Sequence, residues 1–197
     1  MAAPEPAGLS TKMKGSFRGE GGNGGSRGAV IPTAEPSPQP QYLKTAGAER
    51  LMKTENTALS PEVEARLRAR LAANPFVNFM GIEAPEPGRG YARFVLTVRP
   101  DFLNSQGFLQ GGVVASLADE AVAYALFSLT PPEQRISTVE MKINFQAAGS
   151  EGVLEARARI AKRGRTISLG EVEVVQGERL VAKGLCTYIH LKAPAGG

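Results

Sequence analysis

Between Asn104 and Glu120 the residue types and their order suit acyl-transfer chemistry: a polar loop, then Gln110-Gly111-Gly112, then an apolar stretch carrying the acidic pair Asp119-Glu120. A helix that opens at Gly111 leaves its first amide N–H groups without intrahelical partners. The two glycines leave those groups uncovered, so a carbonyl oxygen or an anion can approach them closely. Asp119 is a carboxylate able to act as base or nucleophile, with Glu120 in reserve if the helix is rotated. A fixed donor for a developing oxyanion and a carboxylate of this kind are two of the parts that acyl transfer requires.

The spacing constrains how those parts meet. Asp119 follows Gly111 by eight residues, which separates them by roughly 12 Å along one helix, whereas attack needs reacting atoms about 3–3.5 Å apart. One chain therefore does not bring both groups to one carbonyl. Two such helices, antiparallel across a two-fold axis, place Gly111 of one subunit beside Asp119 of the other, and at least a homodimer is expected.

The elements that position these residues are readable from pattern. Ser60 caps a helix whose first residue is Pro61, Glu62 and Glu64 complement its dipole, and Val63, Leu67 and Leu71 form its apolar stripe. Arg66, Arg68 and Arg70 lie off the stripe and read as a solvated face; the helix ends near Asn74-Pro75. Extended runs then follow at 79–84 and 91–98, joined by the turn-rich Pro85-Glu86-Pro87-Gly88. Four more occupy 136–146, 153–162, 166–175 and 180–191, with reversals at Arg163-Gly164 and Gln176-Gly177-Glu178. The helix from Gly111 to about Leu129 is apolar round most of its circumference and must be buried. About five or six antiparallel strands wrapped round that long central helix satisfy both patterns, an α+β fold.

Composition narrows the function classes. Residues 1–57, with Gly19-Glu20-Gly21-Gly22-Asn23-Gly24-Gly25 and four prolines from Pro32 to Pro40, read as a flexible Gly/Pro-rich tail, and 58–197 as the folded domain. A formal charge of +4 without a clustered basic stripe argues against nucleic acid. No apolar run reaches the length of a membrane span, and no basic-then-apolar leader opens the chain, so a cytoplasmic location is expected. Glu5 and Glu20 argue against a mitochondrial presequence. One cysteine, Cys186, and one histidine, His190, do not make a metal cluster, and no metal is expected.

The order of helix, hairpin, polar loop with Asn104, Gln110-Gly111-Gly112, buried helix with Asp119, and Ser137 opening a run of antiparallel strands resembles the hotdog-fold acyl-CoA thioesterases. The similarity is greatest to the phenylacetyl-CoA thioesterase (PaaI-type) branch and spans roughly residues 74–191. It implies a hotdog fold and an acyl-CoA substrate whose CoA is consumed rather than retained, so no cofactor is expected. It also implies a homodimer or a dimer of dimers. In that resemblance Asp119 acts as nucleophile or general base, the Gly111 N–H polarises the thioester carbonyl, and Asn104 and Ser137 orient the attacking group. Gln110 stands where the family usually has histidine; its amide can donate a hydrogen bond but cannot titrate near neutrality.

Gln110 and Gly112 are the expected contacts to the thioester, while Arg163 and Arg165 are candidates for the CoA phosphates with exposed hairpin charges as the alternative. Phe102, Phe108, Leu109 and Tyr124 are candidates to meet the acyl group. Two other functions stay open: a non-catalytic acyl-CoA-binding hotdog protein, and a hydratase, the latter disfavoured because such enzymes pair Asp with His.

Overall fold

The computed structural model describes residues 58–191. The tail expected over 1–57 and the end of the 58–197 domain lie outside the described residues.

Helix α1 (Pro61–Ala72) begins where Ser60 and Pro61 place it, with the Ser60 hydroxyl accepting from Val63 N at 3.4 Å. Leu67 is buried, and Val63 and Leu71 pack on the same core, so the apolar stripe is the inward face. The arginines beside it are more engaged than a solvated face implies. Arg66 donates at 2.9 Å to Phe127 O and to Thr130 O, Arg70 lies 3.8 Å from the Phe127 ring centroid, and Arg68 pairs with Glu64. Carbonyls orphaned at the far end of the central helix thus find a cation.

A short helix α2 (Pro75–Met80) occupies part of the run expected to start a strand at Phe79. Asn74 Oδ1 accepts from Phe76 N and Val77 N at 3.1 and 3.3 Å, Pro75 supplies a helical φ, and Gly81 ends the turn at φ 71°. Capping at both ends outweighs the β preference of Phe79. Strand β1 (Ile82–Gly88) then runs through the two prolines expected to form a turn. They are accommodated because β1 is an edge strand whose pairing with β2 (Tyr91–Val98) shifts register between Glu83 and Glu86.

Strands β3 (Arg135–Phe145), β4 (Gly152–Arg163), β5 (Ile167–Gln176) and β6 (Arg179–Leu191) complete a six-stranded sheet. Its order is β1-β2-β4-β5-β6-β3, with every neighbouring pair antiparallel. Helix α3 (Gly111–Phe127) crosses one face. Leu117, Ala118, Ala121, Val122, Ala125 and Leu126 are all fully buried, and each leucine contributes about 2 kcal/mol by leaving water.

Small residues set the depth of that crossing. A Cβ on Gly170 of β5 would come 2.3 Å from Val122 Cγ1, so the helix rests on bare backbone there. At the C-terminal end the Ser128 hydroxyl accepts from Gly90 N and donates to Ala125 O, both at 2.7 Å, tying helix to hairpin. With its middle and end fixed over β5 and the β1–β2 turn, the helix directs its first turns toward β3 and β6. Those turns carry the residues of chemical interest.

Candidate active site

The loop before α3 is built on Asn104. Its Oδ1 accepts from Gln106 N at 2.9 Å and Phe108 N at 3.1 Å, while Gly107, at φ 79°, donates to Asn104 O. This Asx-type turn uses the carbonyl half of the carboxamide and leaves Nδ2 without a hydrogen bond among the described residues. The chain returns through Gln110, whose N–H donates to Phe102 O at 2.9 Å.

Gln110 is the N-cap of α3, in extended geometry, and its side chain makes no capping bond. Its carbonyl accepts from Val113 N and Val114 N. The N–H groups of Gly111 and Gly112 therefore find no partner among the described residues, as expected at a helix start. A Cβ on Gly112 would meet nothing within 4 Å, and one on Gly111 would meet only the Phe145 ring, at 3.3 Å. An approaching oxygen has an open path to two oriented donors and the positive end of the helix.

Asp119 lies two turns on, half-buried at the seam between α3, β3 and β6. The Tyr188 hydroxyl stands 2.5 Å from its Oδ1 and 2.7 Å from its main-chain oxygen. Thr138 Oγ1 lies 3.2 Å from each carboxylate oxygen. Burial first, and then the Asp119 charge, push the Tyr188 phenol far above its ordinary range, so it stays protonated and remains a donor. The same two causes raise the buried Cys186 thiol to about 12, which keeps it an inert packing group.

The strand hydroxyl beside Asp119 thus belongs to Thr138, not to Ser137. Thr138 is paired with Tyr188 and Ser137 with Ile189, so successive side chains on β3 take opposite faces and the exposed Ser137 points away from the helix. Glu120, next to Asp119, turns toward α2, where Asn74 Nδ2 donates to its Oε2 at 3.4 Å. Burial raises its pKa; the Asn74 bond opposes that shift and the Asp119 charge adds to it.

Arg163 and Arg165 are exposed at the β4–β5 reversal. Arg163 pairs across the sheet with Ser168, which pairs with Tyr188, so it stands two strand spacings, about 10 Å, from the strand that supports Asp119. His190 is not beside the carboxylate. Its Nε2 lies 2.8 Å from the buried Ser168 Oγ, and burial together with the Arg163 charge lowers its pKa, favouring the neutral ring. Of the four candidates for acyl contact, Phe102, Leu109 and Tyr124 are buried and Phe108 is exposed. No group of three or more His, Cys, Asp or Glu residues placed to hold a metal occurs among the described residues. Nor is any helix among them long and apolar enough to cross a membrane.

Nothing in the sequence pattern singles out Thr138 or Tyr188. The only available signal was their placement on strands flanking a buried acidic helix.

Residues 106–183 match the thioesterase superfamily. A protein of Saccharolobus solfataricus carrying the provisional name esterase is 32% identical over 113 residues, covering 57% of this chain and 75% of that protein. The 1,4-dihydroxy-2-naphthoyl-CoA hydrolase of Listeria monocytogenes is 26% identical over 109 residues, covering 55% and 89%. Among solved structures, the PaaI protein from the phenylacetic acid degradation operon of E. coli superposes with a TM-score of 0.64 at 25% identity, covering 69% of this chain and 98% of that one.

Proposed function

The chain belongs to the thioesterase superfamily, and from that premise we propose that it is an acyl-CoA thioesterase with Asp119 as its reacting carboxylate. The hotdog fold and a hydrolase chemistry come with the family. The observation that carries the finer reading is Asp119 itself: a half-buried carboxylate gripped by two hydroxyls on a helix whose opening N–H groups are unpartnered.

Hydrolysis of a thioester places negative charge on the carbonyl oxygen as the carbon becomes tetrahedral. The Gly111 N–H, with Gly112 beside it, receives that charge. Asp119 either attacks the carbon, giving an anhydride that water opens, or takes a proton from the water that attacks. CoA leaves as the thiol and the acyl group as the acid. The free Nδ2 of Asn104 orients the attacking group, and the amide of Gln110 holds the thioester. Arg163 and Arg165 donate to the CoA phosphates, and Ser137, on the outer face of β3, keeps no direct part.

Two copies supply one site in this reading. The helix geometry keeps Gly111 and Asp119 of one chain about 12 Å apart, and β3, an 11-residue strand at the sheet edge, lies open beside Asp119. A second copy pairing along that edge covers unpaired backbone and brings its own helix start to the carboxylate. The assembly is a homodimer or a dimer of such dimers.

A non-catalytic acyl-CoA binder is the second reading, favoured by the non-titrating Gln110 at the helix start, whose side chain makes no capping bond. Hydratase chemistry is disfavoured because the single histidine is bonded to Ser168 rather than to the site.

Thiol release from acetyl-, decanoyl- and phenylacetyl-CoA, measured with the full chain and with Asp119→Asn, separates these readings. Turnover of at least one substrate, lost by about a hundredfold or more in the variant, is expected. Equal rates remove Asp119 from the reaction, and binding without any hydrolysis establishes the binder.

A further inference from the structure

We propose that Tyr188 is a positioning residue that ties down Oδ1 of Asp119 and thereby makes Oδ2 the oxygen that reacts, an inference that rests on the hydrolase reading above. The two carboxylate oxygens are not equivalent. Oδ1 receives the 2.5 Å contact from the Tyr188 hydroxyl, whereas Oδ2 has only the 3.2 Å contact that Thr138 shares between both oxygens. A hydroxyl has one proton to give, and a carboxylate is a stronger acceptor than the main-chain oxygen 2.7 Å away, so the Tyr188 proton belongs to Oδ1.

The phenol is well placed to hold this orientation. Tyr188 is 2% exposed and sits on β6 between β5 and β3, with Ser168 and Thr138 as its cross-strand partners. Its ring is fixed by packing, so the hydroxyl does not follow the carboxylate if the carboxylate rotates. A free Asp side chain interchanges its oxygens by turning about χ2; bonded to Tyr188, it presents one of them. The groups that face Asp119 are Tyr188 and Cys186 from β6, Thr138 from β3 and Glu120 from its own helix. Tyr188 is the one among them that gives a short hydrogen bond.

Because it acts through another group, its effect must vanish when that group is absent. The test is a double-mutant cycle on the full chain, with Tyr188→Phe, Asp119→Asn and the combination, read as kcat and KM on the acyl-CoA of the panel that the wild type turns over best. Tyr188→Phe keeps the ring and removes only the hydroxyl. It is expected to lower kcat about ten- to a hundredfold, the range of a hydrogen bond to a charged group, with KM within about twofold. On the Asp119→Asn background the same change is expected to leave residual turnover unaltered.

A Tyr188→Phe enzyme with wild-type kcat overturns the inference while leaving the hydrolase reading intact. An equal loss in both backgrounds also overturns it, since a merely structural tyrosine lowers both alike. Circular dichroism and thermal melting of Tyr188→Phe separate a folding failure from a lost contact: a wild-type fold with lowered kcat supports the positioning role, and a loss of kcat that only tracks the loss of folded protein argues against it. If Asp119→Asn itself turns over at the wild-type rate, Asp119 takes no part in the reaction, and the positioning role fails with it.

Discussion

Thr138 and Asp119 meet across the seam between β3 and the central helix, the threonine hydroxyl 3.2 Å from both carboxylate oxygens, while the adjacent Ser137 lies on the other face of the strand. Removing the Thr138 hydroxyl frees the carboxylate on its β3 side. Thr138→Val, which keeps the branched shape, is expected to lower kcat by about tenfold, and Ser137→Ala to have a much smaller effect. Steady-state kinetics on one acyl-CoA compares the two directly.

Gly112 combines an exposed backbone with empty space where a side chain would stand. Gly112→Ala stabilises the first turn of α3 by about 0.5–1 kcal/mol. It also sets a methyl over the open N–H groups. Thermal unfolding is expected to rise by about 2 °C and KM to rise severalfold. Unchanged KM would mean that the thioester does not approach from this side.

Gly170 is where the helix rests on the sheet, and a methyl there collides with Val122 Cγ1. Strand and helix would have to separate, shifting Asp119 relative to Tyr188. Gly170→Ala is expected to cost about 2 kcal/mol or more and to lower Tm by about 5 °C or more. Activity is expected to fall even at temperatures where the variant remains folded.

Glu120 carries a carboxyl whose pKa folding raises, burial being the largest cause. Such a group stabilises the fold below its ordinary value of 4.5 and loses that contribution as pH climbs through the raised folded value. At neutral pH its ionised form opposes folding. Glu120→Gln, still able to accept from Asn74, is therefore expected to unfold at higher temperature than the wild type at pH 7. The two melting curves should converge below about pH 4. A variant less stable than the wild type at pH 7 would show that the Asn74 contact outweighs the burial of charge.

What could be read from the chain and what could not follows a physical division. Helix α3 announced itself because Val114, Leu117, Ala118, Ala121, Val122, Ala125 and Leu126 leave almost no polar side, and Gly177, at φ 61°, marks the β5–β6 turn. The short helix α2 was hidden, because its stability comes from caps at Asn74 and Gly81 rather than from periodicity, and the prolines of β1 imitate a turn until the strand is known to be an edge. On β3 nearly every residue is exposed, so no alternation showed that Thr138 and not Ser137 faces the helix. Tyr188 is separated from Asp119 by 69 residues, a contact that only the sheet order creates.

A reaction centre shared between two protomers is tested most directly by complementation between Asp119→Asn and Gly111→Pro. Proline at the first helical position removes the N–H without breaking the helix, and Gln110, at φ −64° and ψ 129°, already has the extended geometry that a following proline needs. A Cβ at this position meets the ring of Phe145, which is itself exposed and able to shift. Each variant alone is expected to be nearly inactive. A co-refolded equal mixture is expected to recover about one quarter of wild-type acyl-CoA hydrolysis, since half of the dimers are mixed and each mixed dimer holds one intact site. Mixed dimers that form and yet hydrolyse no faster than either variant alone would contradict the shared site.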